Sequence, residues 1–141
     1  MASHAEGRGT TATHKSQHVE GEYNILDTST AEAKDRGTYV HIVGNGTADD
    51  ARSNALTLTW GGDLWHSGRL SHGDSVSAEG SYSYSGGSET SAIGNYSHAE
   101  GIKTVARGAS SHTEGESTSA VGTASHAEGL SSIAQGNYSH A

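Results

Sequence analysis

The chain contains no cysteine, no proline and no phenylalanine among its 141 residues. Without cysteine there are no disulfides and no thiolate metal sites, and the redox compartment is left open. Lys and Arg together number eight against sixteen Asp and Glu, a net charge of -8, so the basic footprint of a nucleic-acid binder is missing. No run approaches the ~20 apolar residues of a membrane span. The start, Met1-Ala2-Ser3-His4-Ala5-Glu6-Gly7, has no basic stretch followed by an apolar core, so no signal peptide is expected. Hydrophobic residues make up only 31%, which leaves Ser, Thr, Ala and Gly to do most of what a core does. A repeat stack or an oligomer compensates for such a shortage. The same composition occurs in disordered chains, but those lack a strict metre.

A metre is what this chain has. Glycine stands at every seventh position: Gly73, Gly80, Gly87, Gly94, Gly101, Gly108, Gly115, Gly122, Gly129 and Gly136. A period of 14 lies over it, because Ser97-His98-Ala99-Glu100-Gly101 returns as Ser111-His112-Thr113-Glu114-Gly115 and as Ser125-His126-Ala127-Glu128-Gly129. Fixed self-similarity means a stack of like units. Each half unit reads Ser/Thr-x-Ala-x-Gly-x-x. Strand side chains alternate, so Ser, Ala and Gly share one face and the two variable residues the other. A face of such small groups packs only against another backbone at close range. The pattern predicts an all-β, narrow β-solenoid of 14-residue coils with Ala and Ser in the lumen, its glycine corners giving positive φ or close approach.

Three segments are expected. Residues 1–21 carry an N-terminal copy of the repeat, with His14 where the metre asks for glycine. Residues 22–70 break the metre and alternate like strands in Thr38–Val43, Leu56–Trp60 and Leu64–His66, the mark of a small β insert or capping domain. Residues 71–141 are the main roll. There, one half coil turns Ile93, Val105, Val121 and Ile133 outward, and the other turns out His98 with Glu100, His112 with Glu114, and His126 with Glu128. An apolar stripe on a thin roll is best explained by self-association about an axis, so those four residues are expected at a subunit interface.

The recurring His-x-Glu begins like a zinc-deaminase signature, but the later Pro-Cys-x-x-Cys cannot exist here. Coils ~4.8 Å apart bring imidazoles and carboxylates of neighbouring rungs together, and a hydrogen-bonded polar ladder is expected rather than a closed metal site. No cofactor and no metal are therefore expected. Ser, Thr and His recur identically in every coil, whereas a catalytic nucleophile needs a singular setting with an oriented base, so no catalytic residue is assigned. Asp35, Asp49 and Asp50 lack the ligand spacing of a calcium loop. Trp60 and Trp65 sit beside glycine turns. An exposed pair would stack on a sugar ring, but in a segment this poor in large apolar groups both are expected in the core or at the subunit interface.

The Ser-x-Ala-x-Gly cadence resembles the head repeats of trimeric autotransporter adhesins. The Ser-His-Ala-Glu-Gly runs, with Gly21-Glu22-Tyr23-Asn24-Ile25, Tyr39–Thr47, Arg52-Ser53-Asn54-Ala55 and Leu58-Thr59-Trp60, are similar to bacteriophage tail fibre and tail appendage proteins. The resemblance implies a left-handed parallel β-roll, three chains to a fibre, and a place on a virion or outside the cell. The expected function is a structural fibre segment serving reach, rigidity and host-surface attachment, with no enzymatic activity, no nucleic acid and no membrane insertion. Rival readings are an end-to-end filament, since Ser139-His140-Ala141 and Glu6-Gly7 fit one metre, a module binding a bacterial surface glycan or receptor, and a polysaccharide-degrading tail enzyme.

Overall fold

The computed structural model describes residues 2–30 and 36–141; Asp35 lies outside them. It is all-β, without a helix among the described residues, and divides into two compact units, Met1–Ser67 and Gly68–Ala141. Both are built from stacked parallel coils, the β-solenoid that the metre predicts.

In the second unit, strands β6 (Leu70–Asp74), β8 (Tyr84–Ser88), β10 (His98–Ile102), β12 (His112–Thr113) and β14 (His126–Ala127) form one parallel sheet. A second holds β7 (Ser77–Ala78), β9 (Ser91–Ala92), β11 (Val105–Ala106), β13 (Ser119–Ala120) and β15 (Ile133–Ala134). The register pairs like with like, His98 with His112 and Ala106 with Ala120. Alternation then works as expected: Ala92, Ala99, Ala106, Ala120 and Ala127 are completely buried in the lumen. Their hydroxyl neighbours are buried with them. Ser97 Oγ donates to the Gly94 carbonyl at 2.6 Å, and Ser83, Ser111 and Ser125 repeat the bond at 2.6–2.7 Å, so the polar atoms of the lumen close on its own corners. Thr113 replaces alanine in one coil and separates the two alanine clusters, and its hydroxyl finds no partner.

The corners differ from the simple glycine picture. Gly101 has φ +105°, but Gly94, Gly108 and Gly122 are not left-handed at all. The left-handed residue that every corner shares stands two places later and is not glycine: Tyr96, Lys103, Ser110, Ser117, Ala124 and Ser131 have φ between 51° and 58°. Such a conformation costs an L-residue about 1–2 kcal/mol. The return is a reversed hydrogen bond. Strand residues donate to the following coil, as Ser91 N–H does to Thr104 at 2.9 Å, whereas Tyr96 donates back to Ser81 at 2.8 Å and Lys103 back to Ser88 at 2.9 Å. Glycine itself is required by proximity: a Cβ on Gly108 would run into the Gly122 carbonyl.

The first unit continues the same logic into the segment where the metre is lost. Strands β1 (His4–Ala5), β2 (His18–Glu22) and β3 (Tyr39–Asn45) stack in parallel, with His18 opposite His41 and Gly21 opposite Gly44. The expected insert therefore contains one more coil, reached through a longer loop. Strands β4 (Asn54–Thr59) and β5 (Leu64–His66) then add antiparallel to the sheet. The core here is largely polar. Buried Asn24 bonds both backbone groups of Thr11, and the Asp27 carboxylate accepts from the N–H groups of Thr38 at 2.8 Å, Tyr39 at 3.1 Å and Ser29 at 3.1 Å. His14, in the glycine slot, reaches the Asp27 carbonyl through Nε2 at 2.9 Å.

Two glycines of the same half coil separate proximity from backbone strain. Gly108→Ala meets the next coil's carbonyl and is expected to lose roughly 1–3 kcal/mol, as overpacking does. At Gly136 a Cβ meets only the Ser139 side chain, at an ordinary 3.6 Å, so Gly136→Ala should stay within about 0.5 kcal/mol of the parent. Equal denaturation midpoints for the two variants would refute the close-approach account.

Candidate functional site

The chemistry-bearing groups of this chain stand in a column. Because β10, β12 and β14 are in like-for-like register with Ala99, Thr113 and Ala127 facing inward, His98, His112 and His126 all face outward on one side. Their rings follow the coil spacing, with centroids 4.7 Å apart for both pairs, and His140 continues the column at 4.9 Å from His126. Tyr84 closes the other end, edge-on to His98 at 4.6 Å. The first unit has its own column, His4, His18 and His41, at 5.0 and 4.8 Å. His41 and His140 are members that the repeat alone did not assign. The His-x-x-Gly that His41 shares with His18 was the available signal.

The carboxylates line the column without locking it. His98 Nε2 lies 3.4 Å from Glu100, His126 Nε2 lies 3.5 Å from Glu114 one coil back, and His140 Nε2 lies 3.4 Å from Glu128. The expected hydrogen-bonded ladder is not what forms in the second unit. The Nε2 atoms of His98, His112 and His126 are enclosed and make no hydrogen bond. Hydrogen-bonded His–Glu pairs occur in the first unit, His4 with Glu6 and His41 with Glu20, both at 3.3 Å. Burial pushes the His112 pKa below the ordinary histidine value, and the flanking His98 and His126 push it further, against the pull of Glu114 and Glu100.

The other assigned residues are separate from the column. Ile93, Val121 and Ile133 are 40%, 44% and 56% exposed, with Val105 half-buried, so the apolar stripe lies open on the chain. The tryptophans have different settings. Trp60 is half-buried, donates Nε1–H to the Arg36 carbonyl at 3.1 Å and carries the Arg36 guanidinium 4.4 Å above its ring. Trp65 is 58% exposed, outside any core of the chain itself, and lines a cleft of about 810 Å³ with Thr57, Thr59, Asp63, Asn54 and Tyr39. Asp49 pairs with Arg52 on the surface. No protein family, curated protein or solved structure matches the chain.

Stability is expected to fall with pH in two windows. His112 is harder to protonate folded than unfolded, so below its ordinary value of 6.5 the unfolded chain binds more protons and stability drops as pH falls through the lower folded value. Each pair of charged neighbours in the column adds about 1 kcal/mol of repulsion at water-like screening. Asp27 acts later. Burial raises its pKa, but the Ser29 side chain and the N–H groups of Tyr39, Ser29 and Thr38 outweigh that and hold it below 3.8, so its contribution is lost as pH falls below 3.8. Melting curves in chelator-treated buffer check both: His112→Asn should flatten the first window and Asp27→Asn the second. A melting temperature that rises from pH 7.5 to 5.5 would mean that His–Glu attraction outweighs His–His repulsion.

Proposed function

We propose that this chain is a structural, homotrimeric fibre segment of a phage tail or related particle, located on the virion or outside the cell, serving reach, rigidity and attachment to a host surface. The observation that carries the reading is the open apolar stripe on a coil whose lumen is already filled. The register aligns Val105 and Ile133 with Ser91 and Ser119, while Ile93 and Val121 lie two places further along their coils, so one apolar residue per coil alternates between two outward rows that neighbouring chains would cover. A fold does not fix a function. The absence of any singular nucleophile–base pair among the repeated Ser, Thr and His side chains fits mechanical work better than catalysis.

The exposed Trp65 on a cleft lined by hydroxyl, amide and carboxylate groups favours a second reading, a module binding a bacterial surface glycan, with the indole as a stacking platform. Glycan-array binding that disappears in Trp65→Ala and survives in Trp60→Ala would support it.

Sedimentation and electron microscopy test the first reading. The parent should run as a closed trimer at low concentration. Replacing Ile93, Val105, Val121 and Ile133 together by Asp should yield monomers or insoluble chains. A folded trimer in that variant would place the seam elsewhere, and fibres of indefinite length in the parent would favour an end-to-end filament.

A further inference from the structure

A purely mechanical coil does not account for the histidine column, whose enclosed Nε2 edge makes no hydrogen bond at His98, His112 or His126. Buried polar atoms are nearly always hydrogen-bonded, yet these three Nε2 atoms in one row make no hydrogen bond, and the carboxylates nearest His98 and His126 stand off at 3.4 and 3.5 Å, which leaves nitrogen lone pairs available to a metal ion. We propose that His98, Glu100 and His112 form a binding site for a divalent first-row transition ion of the zinc type, repeated two coils further on by His126, Glu128 and His140.

The ligand atoms of each triad already lie within 4.8 Å of one another. Zinc holds imidazole nitrogen and carboxylate oxygen at about 2.0–2.2 Å, which in a tetrahedron sets ligands roughly 3.4 Å apart. The backbone register has already brought both imidazoles, on neighbouring rungs, and the carboxylate to one side of the stack, so the remaining gap is one for side chains to close. The ring angles divide the column at the same places as the two triads: the rings are tilted by 30° in His98–His112 and by 38° in His126–His140, while His112–His126 between them is parallel within 1°. Two imidazoles and one carboxylate suit zinc, cobalt, nickel or copper, and offer far too few oxygens for calcium or magnesium. Three protein ligands leave a fourth position for water. The His98 triad is half-buried throughout and is the better enclosed site, whereas the His126 triad, like His4, Glu6 and His18 of the first unit, has two exposed members; the chain's net charge of -8 favours cations generally. The site does not depend on the proposed fibre role.

The test uses the full chain, stripped with chelator and titrated with Zn²⁺ against a chromogenic competitor, then with Co²⁺ for its visible spectrum. The His98→Gln/His112→Gln double variant should lose one equivalent of tight zinc and part of the cobalt absorption. Glu100→Gln should weaken that equivalent at least tenfold. A His66→Gln/His72→Gln control, outside the column, should match the parent. Circular dichroism without metal checks that every variant is folded, and if the double variant is not, Glu100→Gln decides alone because it keeps both imidazoles. Unchanged stoichiometry and affinity in the folded variants would show adventitious histidine binding and overturn the site. So would a parent that binds no zinc below millimolar concentration.

Discussion

Everything in the second unit depends on how closely one coil lies on the next. At Gly108 the space that a Cβ would fill is occupied by the carbonyl oxygen of Gly122, and at Gly101 by that of Gly115. Contact between backbones, not between side chains, therefore sets the pitch. This is how a chain with 31% hydrophobic residues forms a solid lumen: alanine methyl groups and serine hydroxyls are all that the space admits, and the hydroxyls bond the glycine carbonyls that brought the coils together. Larger apolar groups would force the coils apart. The shortage of core-forming residues is a requirement of the geometry.

A pitch fixed by backbone turns every outward position into a column. The same spacing that stacks Tyr82 on Tyr96 at the turns, with rings 5.6 Å apart and 8° from parallel, lines up the imidazoles along the β10–β12–β14 sheet, face to face at His112 and His126. Asn95 and Asn137 use it too, each capping an N–H of the preceding coil, at Ser81 and Thr123, at 3.0 and 2.9 Å. Columns are favourable for amides and neutral rings. For like charges they are costly, and at His112 that cost adds to burial, the leading cause, in holding the imidazole below the ordinary histidine value.

The parts of this arrangement that follow from residue size and period were legible in the sequence. Seven-residue glycine spacing, alanine two places before it and alternation together placed Ala99 inside and His98 outside without further information. The left-handed corners were not legible. Tyr96, Lys103, Ser110 and Ala124 share no chemistry, because what they supply is an N–H turned back toward the preceding coil, and any residue that tolerates the conformation supplies it. Intrinsic preference would have assigned those angles to glycine, and the inter-coil hydrogen bond overrules it. His41 was hidden for a different reason. It stands further from His18 in sequence than a regular coil of 14 residues, yet pairs with it in register. The Trp65 cleft was likewise out of reach, since its walls come from loop and strand residues that no period connects.

Repetition and singularity divide the possible functions of such a molecule between them. A catalytic group gains its reactivity from a singular environment, whereas a column offers a closely similar environment in each coil. What it offers is multiplicity: a contact too weak to matter once becomes consequential when the second and third are already held at the right spacing, since each then binds at high effective concentration. An apolar residue per coil, or a pair of imidazoles per two coils, is a motif of that kind. Singular settings arise where the register is interrupted, as at the buried Asp27 with its four donors, including Gln17 Nε2 at 3.2 Å, or at the cleft beside Trp65. The first unit thus carries the singular settings, and the regular stack carries the repeated ones, in which whatever one coil contributes is multiplied by its neighbours.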